Sequence, residues 1–390
     1  MTPSPRPKLV ARLVLMFASL LLCVVIVEVA LRLFMPVSML HVSYEQFRMS
    51  PNARIGYELR PLVEDHNRDG WRDQLYPREK DDAIYRIAII GDSLVYGHAT
   101  PLGQTYPKQL ERLLNEEGSC GSRVEVLNFG VPGYGITQIV ESFRAKGADW
   151  HPDLVIYGYW LDDVTSSGEH RESIERRRAD GEAREAIQVT DSGRNRLKEL
   201  VLATQIGRRA IVLGSILSAR SEVDLTTSLD EQLAGLDPPV RDLYARYLQR
   251  VRDGELRDLP TGEPYFATYV DHRRFAAWID AMQQWVATCE SLGAKPLLLM
   301  TPVLYEHDTG DYRWTELHGF VADLMEHFDV PVLDVSDRLT PLSPSLIAHD
   351  SEHPNARGCT IIAAALHEPL VTDGAGYGLN CAAARNVNAR

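Results

Sequence analysis

From Tyr85 onward, short unbroken apolar runs take turns with longer stretches in which apolar residues recur every three or four positions. YRIAIIG precedes GQTYPKQLERLLNEEG, RVEVLNFG precedes an amphipathic segment from about Ile136, and DLVIYGYW runs into Asp162-Asp163. After a long interruption the alternation resumes with helix RRFAAWIDAMQQWVATCESLG, strand KPLLLMTP, helix WTELHGFVADLMEHF, strand VPVLDV and a last helix, NARGCTIIAAALHEPL. A run that is apolar at successive positions reads as a strand buried on both faces. Single helices between such strands imply right-handed crossovers, so the pattern predicts an α/β domain over 85–370 with a mostly parallel sheet between helical layers.

Three segments depart from this rhythm. Residues 36–84 mix polar and aromatic positions with Pro and Gly, which predicts a stalk whose short strands pack on the body. Residues 165–264 form an insertion with charged tracts such as GEHRESIERRRADGEAREA, read as a solvated helical face; its apolar stretch LVLATQIGRRAIVLGSIL would pack on the sheet or touch a membrane. Residues 371–390 form a tail.

Residues 1–35 predict a cytoplasmic tip and a membrane anchor. Arg6, Lys8 and Arg12 precede an uncharged run from Leu13 to Val27, and apolar character continues past Glu28 to Phe34. The stretch from Leu9 to Phe34 is long enough to span, with Glu28 and Arg32 one helical turn apart near the outer end. Cations before the segment place the N-terminus in the cytoplasm and the body outside. A cleaved signal peptide lacks a small-x-small site here, and a lipoprotein signal ending at Cys23 would have the bulky Leu22 before the cysteine.

A formal net charge of -13 over 390 residues, with no basic stripe, argues against nucleic acid as a partner. In an exported body Cys120, Cys289, Cys359 and Cys381 could form one or two disulfides, but their spacing fixes no connectivity and contains no zinc-type CxxC.

The chemistry gathers at the ends of the predicted strands, where open α/β sheets bind ligands. The first strand ends in Gly91-Asp92-Ser93, where either polar residue could simply cap the following helix. The second ends in NFGVPGYG, the third in YWLDD, and the loop before the final helix reads HDSEHPN. There Asp350 and His353, three residues apart, can hydrogen-bond so that the carboxylate holds the imidazole in the tautomer of a base. Ser93, His353 and Asp350 are then candidate nucleophile, base and orienter. His98, His151, His307 and His318 have no partner at ligand spacing. No phosphate or dinucleotide fingerprint is present, and the expectation is no cofactor and no metal.

Together these blocks resemble the SGNH or GDSL hydrolases over about residues 55–370. Gly91-Asp92-Ser93 resembles the family's nucleophile block, Asn128 through Gly135 its glycine block, and Asp350 through Asn355 its Asp-x-x-His block. The stretch from Gly56 to Pro77, with Asn67 and Gly70-Trp71-Arg72, is similar to the corresponding region of membrane-anchored bacterial members. The resemblance implies a flavodoxin-like three-layer α/β/α sandwich, and an acyl-enzyme on Ser93 with Asp350/His353 as base pair. It also implies an oxyanion hole made by the backbone N–H groups of Ser93 and Gly133 and an Asn amide from the third block. This chain departs from the pattern there, since Trp160-Leu161-Asp162-Asp163 puts Asp162 where the Asn amide belongs. An ionised carboxylate has no proton to donate, whereas burial beside Trp160 and Leu161 would favour a protonated one.

The expected function is a membrane-anchored serine esterase, deacetylase or lipase-like, acting on an ester-bearing envelope glycan or lipid outside the bacterial cytoplasmic membrane. Two alternatives stand beside it: an O-acyltransferase of the same fold acting on a cell-surface glycan, and a binding scaffold impaired at Asp162.

Overall fold

The computed structural model describes residues 6–34, 46–116, 122–164, 204, 235–255, 269–304, 312–350, 352–372 and 374–379. The chain divides into two units, one of residues 1–39 with 189–219 and one of residues 40–188 with 220–390.

In the first unit, helix α1 (Arg6–Phe34) carries apolar side chains around its whole circumference, and Val14, Phe17, Leu21, Val25 and Val29 are all exposed. Among the described residues no helix is long and apolar enough to cross a membrane.

The second unit is built on five parallel strands. In chain order they are β3 (Ile84–Gly91), β4 (Arg123–Gly130), β5 (Leu154–Tyr159), β6 (Lys295–Met300) and β7 (Val332–Asp334), and in space they run β4-β3-β5-β6-β7. The chain steps from β3 to one side and then returns to the other, so the end of β3 is the switch point where ligand crevices form. Alternate residues of β3 enter different cores: Ile87 and Ile89 face one layer, Ala88 and Ile90 the other. Helices α3 (Tyr106–Glu116) and α8 (Ala356–Thr372) cover the first face; α4 (Ile136–Ala145), α6 (His272–Leu292) and α7 (Thr315–His327) cover the second.

Part of the expected insertion belongs to this body. Helix α5 (Pro238–Arg252) buries Val240, Leu243, Tyr244, Tyr247 and Leu248, a helical stripe that its four arginines and one aspartate obscure in the sequence. Tyr244 stacks on Phe275 at 3.7 Å between centroids and Tyr247 on Phe320 at 4.1 Å. The charged tract at 165–203 and most of LVLATQIGRRAIVLGSIL lie outside the described residues.

The segment before the sheet supplies the short antiparallel pair β1 (Phe47–Met49) and β2 (Tyr57–Leu59). They sit against the loop that follows β4, where the Tyr57 hydroxyl donates to the Pro132 carbonyl at 2.9 Å and the Tyr57 and Tyr134 rings meet edge-on at 5.1 Å. At the opposite end of the sheet Arg86, fully buried, pairs with Glu125 at 2.8 Å and donates to the Trp150 carbonyl at 2.6 Å. Cys23, Cys289 and Cys359 are free thiols, the last two buried, while Cys120 and Cys381 lie outside the described residues. Burial pushes the thiols of Cys289 and Cys359 up to about 12.

Candidate active site

Helix α2 (Ser93–Tyr96) is a single turn on the carboxyl end of β3. It lies so close to the sheet that a Cβ on Gly130 would come within 2.2 Å of the Tyr96 nitrogen. Asp92 caps this turn, one carboxylate oxygen accepting from Leu94 N–H at 2.9 Å and the other from the Trp160 indole N–H at 2.8 Å. The capping reading therefore holds for Asp92, and Ser93 is left as the first helical residue, whose N–H no intrahelical acceptor can satisfy.

The second component is a short loop pinned at its neck. Ala348 and Pro354 form an isolated antiparallel bridge, His349 N–H donates to the His353 carbonyl at 2.8 Å, and Asn355 N–H donates to the Ile347 carbonyl at 2.8 Å. Asn355 also caps α8, accepting from the N–H groups of Arg357 and Gly358. Inside the loop Asp350 Oδ1 accepts from the backbone N–H of Glu352 (2.9 Å) and His353 (2.7 Å), which turns its carboxylate toward the imidazole.

These components meet. His353 Nδ1 lies 2.9 Å from Asp350 Oδ2, and His353 Nε2 lies 2.8 Å from Ser93 Oγ. With Nδ1–H donating to the carboxylate, Nε2 keeps its lone pair and accepts the serine proton. Burial alone would push the His353 imidazole down, but the hydrogen bond and charge of Asp350, with Glu352 and Asp92 behind, hold it above the ordinary histidine value. The converse applies to Asp350, which burial would raise and the His353 hydrogen bond and charge hold below the usual carboxylate range. The arrangement can take a proton from a hydroxyl and stabilise the resulting imidazolium.

The other expected positions are distributed around it. Val131 N–H donates to the Gly91 carbonyl at 3.1 Å, tying the glycine loop to the nucleophile strand. Gly133 stands exposed in that loop at φ +76, a conformation that favours glycine, and a Cβ there would meet the Tyr57 hydroxyl at 2.9 Å. In the third block the adjacent carboxylates part. Asp163 is buried, accepting from the Tyr157 hydroxyl at 2.8 Å and from Trp160 N–H at 3.2 Å, and burial drives its carboxyl well above the usual range. Asp162 is half-buried, and its charge is felt at Glu352.

Three neighbours were not legible from spacing. Burial pushes the Glu352 carboxyl up to about 7, with His353 opposing and the Asp162 charge adding to the rise. The Trp160 indole steadies Asp92 from a strand end that, in the linear sequence, shows only an aromatic. His98, a lone histidine by sequence, packs its ring 5.2 Å from that of His353; burial, with the charge of His353, lowers it to about 4. His318 is also partnered, its Nδ1 lying 2.8 Å from Asp334 and its Nε2 2.8 Å from the Tyr312 hydroxyl. Among the described residues no three His, Cys, Asp or Glu side chains converge as a metal site.

No protein-family model matches the chain, and no curated protein matches it. Solved structures similar to it include the acetylxylan esterase Axe2 from Geobacillus stearothermophilus, at 13% identity and TM-score 0.38, covering 73% of this chain and 93% of that one. TesA is similar at 11% identity and TM-score 0.37, with 73% and 98% covered. A two-domain esterase active on acetylated mannans is similar at 12% identity and TM-score 0.36; 74% of this chain matches 49% of that one, so the likeness spans about half its length. Likenesses this distant decide nothing about the chemistry, which rests on the geometry of the site itself.

Proposed function

We propose that this protein is a serine esterase that cleaves a carboxylic ester through an acyl-enzyme on Ser93. The observation that carries the reading is the unbroken relay from Ser93 Oγ to His353 Nε2 at 2.8 Å and from His353 Nδ1 to Asp350 at 2.9 Å. His353 removes the hydroxyl proton as Ser93 Oγ attacks the ester carbonyl, and Asp350 stabilises the imidazolium. The oxyanion is met by the backbone N–H groups of Ser93 and Gly133. Collapse expels the alcohol, which takes its proton from His353, and water activated by the same imidazole releases the acid. With Asp162 in place of an amide, the third donor requires a protonated carboxyl; removing one such donor typically costs on the order of a hundredfold to a thousandfold in rate.

The body works outside the bacterial cytoplasmic membrane, held by α1 as a single-pass anchor, and its substrate is an ester-bearing envelope glycan or lipid. Supporting this are the cations ahead of the apolar run and the exposure of apolar side chains all around α1, which a lipid environment would bury. The test is hydrolysis of p-nitrophenyl acetate by the full-length chain in detergent beside its Ser93→Ala variant. Turnover that disappears with the hydroxyl supports the esterase; equal turnover, or none in either protein, contradicts it.

A further inference from the structure

The segment that leaves the nucleophile helix is strained and held from outside. Gly97 and Ala99 both occupy the left-handed region, at φ +75 and +60, a conformation that strains an alanine. A one-turn helix leaves its last carbonyls without intrahelical partners; backbone N–H groups of the following residues take the Ser93 and Leu94 carbonyls. The carbonyls from Tyr96 onward are met by the guanidinium of Arg72, from the segment ahead of the sheet. Its Nη1 donates to the Tyr96 carbonyl at 2.9 Å and to the Gly97 carbonyl at 2.7 Å, and its Nη2 donates to the Thr100 carbonyl at 2.8 Å. The group also lies over the Tyr96 ring, 4.8 Å from the centroid.

Burying this cation is expensive, and its charge partner is weak. The Arg72 side chain is 9% exposed, while Asp65, 3.1 Å away, is 52% exposed and stays in water. The three carbonyls therefore account for the placement of the fork better than the ion pair does, and they belong to the stretch that touches Ser93, His353 and the loop that carries Asp350. Gly97 N–H and His98 N–H both donate to the Ser93 carbonyl, at 3.0 and 3.1 Å. The His98 ring lies against His353, and its buried Nε2 has no hydrogen-bond partner among the described residues. The Thr100 hydroxyl lies 3.0 Å from His349 Nε2 and 3.2 Å from the Pro354 carbonyl, bridging to the loop that carries Asp350 and His353.

We infer that Arg72 is a positioning residue of the esterase site, holding residues 96–100 in a strained conformation that registers the Ser93 turn against the His353 loop. This rests on the esterase reading. Arginine is required because only a planar fork can reach three carbonyls at once; lysine offers a point charge in its place. Misplacement of reacting groups by about 1 Å costs on the order of a hundredfold in rate.

The test is the rate at which a fluorophosphonate probe labels Ser93 in the full-length chain, with p-nitrophenyl acetate kinetics alongside. Arg72→Lys is expected to label about tenfold to a hundredfold more slowly, with the loss in kcat and KM nearly unchanged. Guanidinium, but not ammonium, is expected to restore part of the rate to Arg72→Ala. Should Arg72→Ala not fold, Thr100→Val tests the same bridge and is expected to slow labelling severalfold. Wild-type protein that labels on Ser93 while Arg72→Lys and Thr100→Val label equally fast overturns the role of Arg72 alone. Wild-type protein that takes up no label overturns the esterase reading and this inference with it.

Discussion

At the scale of single residues, three side chains and two protons define the chemistry. His353 can act as base only when neutral, and its imidazole is held above the ordinary value of 6.5. The rate kcat/KM should therefore rise with pH through a midpoint above 6.5 and level off once His353 has lost its proton. Asp350→Asn removes the charge and the acceptor that maintain this state, so its midpoint should fall and the plateau should drop by about three to four orders of magnitude. A pH–rate profile of the two proteins checks both; an Asp350→Asn profile that overlays the wild type would count against the assignment. Asp350 and His353 were legible in the sequence because three residues of loop suffice to bring them together. His98 and Glu352 were not: the environment that matters to each comes from another strand end or loop, and only the folded chain brings it near.

Among the elements, the strands could be read directly, since β3 and β5 are buried on both faces and thus appear as unbroken apolar runs. Helix α5 could not, because its buried stripe is interleaved with charge, and although short strands were expected within 36–84, the positions of β1 and β2, at three residues each, are too short for alternation to mark. Arg86 is the one charged residue in the apolar run of β3, and it is fully buried and paired with Glu125 across the β3–β4 register. Removing one member of a buried pair leaves the other's charge uncompensated at a cost of about 3–5 kcal/mol. Glu125→Gln should lower unfolding free energy by that order, read from the denaturant midpoint at constant slope. An unchanged midpoint would show that the carbonyls around Arg86 satisfy it without the carboxylate.

For the whole molecule, the order β4-β3-β5-β6-β7 places Ser93 at the switch point of the sheet, and the His353 loop reaches it from the start of the last long helix. The sequence pattern predicted parallel strands between helical layers but not their lateral order, which depends on which strand edges meet. The proposed anchor is tested at this scale as well. Full-length protein should remain in the membrane fraction after an alkaline carbonate wash, and release into the supernatant would count against α1 as a span. The central claim is that Ser93 carries the acyl group, and the most direct measurement is peptide mass mapping after rapid mixing with p-nitrophenyl acetate and acid quench. The account predicts an acetyl adduct on the peptide containing Ser93 that disappears in Ser93→Ala and accumulates when deacylation is slow. Hydrolysis that proceeds in the full-length protein with the adduct on another residue, or with Ser93→Ala retaining it, would contradict the account.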